Sequence, residues 1–129
     1  MNALPLPPSR SALIERLYAS AHAALASGDD ETALRGFAAL TFAAPRDERG
    51  WLGLGVCQER RDNFHAAVAL YGFGAGLIPR SPWLELGRGR ALQRAGRFDD
   101  AQRAFALAEA LTESASEVAQ LRRHLEQLS

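Results

Sequence analysis

Residues 51–79 read WLGLGVCQERRDNFHAAVALYGFGAGLIP. Apolar residues recur in this stretch at helical spacing, with Leu52 and Val56 four apart and Ala67 and Tyr71 four apart. The polar run Arg61-Asp62-Asn63 interrupts them, so the spacing predicts two helices, over 48–61 and 64–77, joined by a tight turn. Sliding the chain along itself by 34 residues reproduces the pattern on both sides without a gap. Ala33, Ala67 and Ala101 fall in register, as do Phe37, Tyr71 and Phe105. Ala21, Gly55 and Gly89 form a third such set, and Leu40, Gly74 and Ala108 a fourth. Pro45 matches Pro79, and Phe64 matches Phe98. Small residues recur where two helices must approach closely, and aromatics recur where the pair needs a large apolar wedge.

The period, the residue types and their offsets resemble those of tetratricopeptide repeats. Trp51, Leu54, Gly55, Phe64, Ala67, Tyr71 and Pro79 carry almost the whole signature in the middle copy. The expected fold is all-α: three tandem repeats (about 14–47, 48–81 and 82–113, within 11–113) and a C-terminal capping helix over 114–129. The paired helices are expected at about 12–27 with 30–43, 48–61 with 64–77, and 82–95 with 98–111. Ser81 is the expected N-cap of the fifth helix, with Pro82 at its first position and Glu85 near that end. Asp29 and Asp62 are expected to cap the second helices of their pairs, and Gly96 to make a tight turn. Pro5, Pro7 and Pro8 hold residues 1–10 extended. In the tail, Val118, Leu121, Leu125 and Leu128 lie on one helical face, the stripe needed to close a solenoid.

A chain of 129 residues with 47% hydrophobic and 23% charged residues is a single globular domain rather than a disordered one. Its fifteen basic residues, all Arg, balance fifteen acidic ones, and no segment carries the basic excess expected of a nucleic-acid binder. The longest apolar runs fall short of a membrane span, and the first residues lack a basic-then-apolar export signal, so a cytoplasmic location is expected without membrane insertion. One cysteine, Cys57, excludes an intrachain disulfide.

On that repeat frame, Trp-Leu-Gly-Leu-Gly-Val-Cys (51–57) resembles a segment of the class II type III secretion chaperones, and Ala-Val-Ala-Leu-Tyr-Gly-Phe-Gly-Ala (67–75) resembles another. The first repeat, with Leu17-Tyr18, Ser27-Gly28 and Phe37-Ala38-Ala39-Leu40, follows the same layout. The resemblance spans roughly residues 11–113. It implies a bacterial cytoplasmic, non-enzymatic chaperone that binds hydrophobic, pore-forming translocator proteins and keeps them soluble before secretion. The implied partner segment is extended, near the translocator N-terminus, with a Pro-x-Leu-x-x-Pro-like motif. A homodimer is the second implied assembly, although the region ahead of the first repeat is shorter than is usual in the family. A generic repeat scaffold, or a secretion co-chaperone or regulator docking another protein, is the alternative.

The first helix of each pair should line the concave side, so its residues spaced four and three apart point into a groove. These are Tyr18, His22 and Leu25 in the first repeat and Leu52, Val56 and Glu59 in the second. The third supplies Leu86, Arg90 and Arg94. Tyr71 joins them as an aromatic position of the family motif, though packing in the core is its other reading. The groove is expected to be apolar at one end and charged at the other. The stripe Arg90, Arg94 and Arg97 reads either as a solvated face or as the site of an acidic client segment. The segment Leu4-Pro5-Leu6-Pro7-Pro8 loosely resembles a client motif and could occupy a neighbouring molecule's groove. No cofactor is expected, and His22, His65 and His124 lack metal-ligand spacing. A Cys57–His65 nucleophile pair oriented by Asp62 straddles a helix turn and lacks supporting spacing. Tyr18 and His22 stand where the dicarboxylate clamp of Hsp90- and Hsp70-binding repeats wants Lys and Asn.

Overall fold

The computed structural model describes residues 4–112 and 115–128, which form seven helices and no strand. Helices α1 (Arg10–Ala26) and α2 (Asp30–Ala43) make the first pair. The second pair is α3 (Glu48–Arg60) with α4 (Phe64–Leu77), and the third is α5 (Pro82–Arg94) with α6 (Phe98–Ala110). Helix α7 (Ala115–Leu128) follows. All six paired helices lie within two residues of the positions that the 34-residue period predicts.

Local chemistry sets their ends. Asp29 accepts a hydrogen bond from the Thr32 amide at 3.3 Å, and Ser81 accepts one from Leu84 at 3.2 Å ahead of Pro82. The Ser81 hydroxyl also donates to Glu48, tying the start of α5 to the start of α3. Helix α1 starts two residues earlier than expected because Ser9 caps it, accepting from the Ala12 amide. The chain ahead of it is extended, with Leu4 and Leu6 exposed.

Each pair turns through one left-handed residue, and these residues are also 34 apart: Gly28 (φ 84°), Asp62 (φ 59°) and Gly96 (φ 79°). In all three turns the next amide bonds back across the helix end at 2.9 Å, Asp29 to Ala24, Asn63 to Gln58 and Arg97 to Leu92. Asp62 is therefore a turn residue, and Asn63 holds the N-cap position of α4. A left-handed L-residue costs about 1–2 kcal/mol, against about 0.4–1 kcal/mol of extra unfolded-state entropy for glycine. Asp62→Gly is thus expected to stabilise the protein by about 0.5–1 kcal/mol in urea denaturation; a loss of stability would show that the carboxylate serves the turn.

The repeated small and aromatic residues meet across the pairs. Ala33, Ala67 and Ala101 are buried. Tyr71 is wedged between its own pair and the next, so that a Cβ at Gly55 would come within 2.2 Å of its ring and one at Gly87 within 2.8 Å. Phe37 takes the same place one repeat earlier, 2.2 Å from a Cβ at Gly53. Besides these pairings, α1 packs on α3 and α3 on α5. The odd helices therefore form one continuous inner face.

Helix α7 departs from that pattern. Of the helices that precede them, α3 and α5 pack chiefly on the adjacent one, whereas α7 packs more on α5 than on α6. Leu125 is buried against Leu86 and Ala108, with Leu52, Trp83, Phe105 and Leu121 around this cluster. The helix thus closes the apolar end of the third pair and also leans over the inner face. The side chains of Val118 and Leu128, expected on the same stripe, lie outside the described residues.

Candidate functional site

Tyr18, His22 and Leu25 from α1 and Leu52 and Val56 from α3 converge on one pocket of the inner face, about 110 Å³ in volume. Their spacing of four and three residues puts them on the same side of their helices. Phe37 and Gly53, the wedge contact between the first two pairs, form the floor. Apolar cavities of about 150 Å³ admit benzene, so this pocket has room for one aliphatic side chain. The Tyr18 and His22 rings lie 5.6 Å apart at its rim.

Arg49 holds that rim in place. Its guanidinium donates to both carboxylate oxygens of Glu15 (3.0 and 2.8 Å) and to both of Asp47 (3.0 and 2.7 Å), and it lies 4.5 Å above the Tyr18 ring. Hydrogen bonds from Arg49 pull both carboxyls below their usual range. The start of α3 is thereby clamped to α1, and the aromatic ring is fixed by a cation on its face.

Beyond the pocket the inner face becomes charged. Leu86 and Arg90 line the next cleft, together with Leu125 and Glu126 of α7. Glu59 and Arg94 lie further along, beside Asp30, Arg60 and Gln127. Glu59 is buried and accepts a 3.0 Å hydrogen bond from the Tyr71 hydroxyl. Its other oxygen lies 3.9 Å from Arg90 Nε and 3.7 Å from Arg94 Nη1, attractive but too long for hydrogen bonds. Burial therefore outweighs the two arginines and raises the carboxyl above its usual range. The Arg90–Arg94–Arg97 stripe is not uniformly solvated: Arg90 and Arg94 face Glu59, and Arg97 pairs with Asp100 at 2.7 Å.

The raised Glu59 has a definite consequence for stability. A carboxyl that binds its proton more tightly when folded stabilises the fold at low pH, and that contribution is lost as pH rises from 4.5 through the folded value. Glu59→Gln keeps an acceptor for Tyr71 and removes the titration. Denaturation midpoints should therefore move in favour of the Gln variant as pH rises from about 4.5 to about 8. A difference that is flat or of opposite slope would show that the arginines dominate.

Nine of the ten expected groove residues line these inner-face clefts. The exception is Tyr71, which is fully buried between Gly55 and Gly87 and has no surface to offer. Its place in the repeat makes it the wedge rather than a contact, a correction to the expectation drawn from the family motif. Cys57 is buried, which pushes its thiol up to about 11. No metal-binding cluster occurs among the described residues. Six lining residues of the apolar pocket fall outside the expected groove set: Phe37, Arg49 and Gly53, Trp83 of α5, and His124 and Leu125 of the tail. Trp83 sits three residues before Leu86 on the same face of α5, a signal that was available. The tail residues reach the pocket only through the path of α7.

No family model matches the chain. The "Low calcium response locus protein H" of Yersinia pestis is 29% identical over 108 residues, 84% of this chain and 64% of the relative. Among solved structures, the Yersinia enterocolitica type III secretion translocator chaperone SycD superposes with a TM-score of 0.78 at 27% identity, covering 89% of this chain and 86% of that one. SycD in complex with a peptide of the translocator YopD superposes with a TM-score of 0.77 at 27% identity, covering 90% and 88%. In sequence the chain is similar to this Yersinia pestis protein, and in fold to the translocator chaperone SycD. It spans less than two thirds of the length of the curated relatives it matches. The repeat signature of residues 51–79 contributes Gly53 to the groove floor, while Gly55 makes room for the buried Tyr71 ring.

Proposed function

We propose that the chain is a cytoplasmic, non-enzymatic chaperone for the hydrophobic translocators of a type III secretion system. It takes an extended client segment into its inner-face groove and keeps that client soluble until secretion. The observation that carries this reading is the apolar pocket bounded by Tyr18, Leu25, Leu52 and Val56 in a chain related to a chaperone solved with a translocator peptide. An extended segment containing proline loses little chain entropy on binding and can seat one apolar side chain in such a pocket. The charged end, with Arg90 and Arg94, suits an acidic residue further along the client. The same relationship supports self-association as a dimer.

Affinity purification of the tagged protein from its host, with mass spectrometry of what co-elutes, tests the reading. A partner with long hydrophobic segments is expected. Recovery of soluble regulators or enzymes alone would leave the fold assignment in place and overturn the function.

A further inference from the structure

Helix α7 occupies the ground that a client would need. His124 meets Trp83 of α5 edge to face with ring centroids 5.4 Å apart. Leu125 is buried while closing the pocket formed by Tyr18, Leu25 and Leu52. Glu126 lies in the cleft of Arg90, and Gln127 reaches the cleft beside Ser27 and Gly28 at the end of α1. Arg122 stacks 4.2 Å above Phe105 and anchors the helix where it leaves the third pair. The tail therefore brings to the inner face the chemistry inferred for a client: one buried leucine followed by a carboxylate next to arginine.

We propose that α7 is a tethered occupant of the groove, which competes with the client and is displaced when the client binds. This rests on the reading above for the client, but not for the occupancy. Tethering gives α7 a high effective concentration, so contacts too weak to hold a separate peptide suffice. Release is also easy, because a helix of 14 residues is only marginally stable once it leaves its docking surface. A client therefore meets a groove that is open for only a fraction of the time, and its apparent affinity is reduced by that fraction.

The test uses full-length protein with Leu125→Asp, which removes the buried anchor, and Glu126→Arg, an exposed change that cannot disturb the core. Hydrogen exchange should show residues 115–128 protected in the wild type and unprotected in Leu125→Asp, with α1–α6 protected in both. A labelled synthetic peptide of residues 115–128 should bind Leu125→Asp at least about tenfold more tightly than wild type, with Glu126→Arg between them. Equal binding to all three proteins, or none to Leu125→Asp, overturns the proposal. A synthetic extended peptide carrying leucine between prolines separates the two readings. Binding about tenfold tighter to Leu125→Asp than to wild type supports competition, whereas equal binding to both overturns it and leaves the chaperone reading intact. If it binds neither while the 115–128 peptide binds Leu125→Asp, the client reading fails and the occupancy by α7 stands.

Discussion

Replacing Tyr71 by alanine is expected to cost about 3–5 kcal/mol, the range for emptying a large aromatic site in a packed core. A domain of this size has about 5–15 kcal/mol in total, so the variant should be close to unfolding at room temperature. The ring is caged by the backbones of two helices, since Gly55 and Gly87 leave no side chain beside it. Neither backbone can move in without breaking its own pairing, and the cavity stays open. The hydroxyl adds a separate contribution, because Glu59 loses its hydrogen-bond donor. Tyr71→Phe isolates that contribution at about 1–3 kcal/mol. Gly55→Ala attacks the same contact from the other side, and overpacking of this kind costs about 1–3 kcal/mol. Urea denaturation followed by helical circular dichroism measures all three. A loss of under about 1 kcal/mol for Tyr71→Ala would mean that the repeats do not depend on the wedge.

Client binding should fall by about two orders of magnitude or more on replacing Leu52 by aspartate. Leu52 is half-buried at the centre of the pocket, and the clusters of the second and third pairs both rest on it. Burial of a client leucine there contributes about 1.5–3 kcal/mol, and a carboxylate in the same place removes that gain and adds a desolvation penalty. The sum exceeds the roughly 2.7 kcal/mol that corresponds to a hundredfold change. Tyr18→Asp should act in the same direction from the α1 side. The affinity of a translocator segment is read by anisotropy, with circular dichroism confirming that the helices persist. Unchanged affinity for both variants would place the client elsewhere on the molecule.

The features that could be read from the sequence are those whose cause lies within one repeat. Ala33, Ala67 and Ala101, the aromatic wedge and the glycines facing it repeat because the same local contact is built each time. Groove residues on α1, α3 and α5 followed from helical spacing alone. Asp62 was misplaced because aspartate suits both an N-cap and a left-handed turn, and only its register with Gly28 and Gly96 separates the two. The apolar stripe of α7 announces that the helix buries a face, but not which surface receives it. His124 and Leu125 therefore had no signal placing them beside Trp83 and Leu52. The clamp of Arg49 on Glu15, across 34 residues of sequence, was equally invisible, because each partner alone is an ordinary surface charge.

The reach of α7 also bears on how the chain comes apart. A stack of helix pairs in which each unit touches only its neighbours loses cooperativity from its ends inward. Here Gln127 lies in the same cleft as Ser27 and Gly28, and His124 in the same pocket as Tyr18. The last element thus lines the same clefts as the first, whereas in an open array it would face only the third pair. Fraying of α7 therefore opens these clefts at α1 while α1–α6 keep their own pairings. Its release uncovers the inner face from α5 back to α1 in one step.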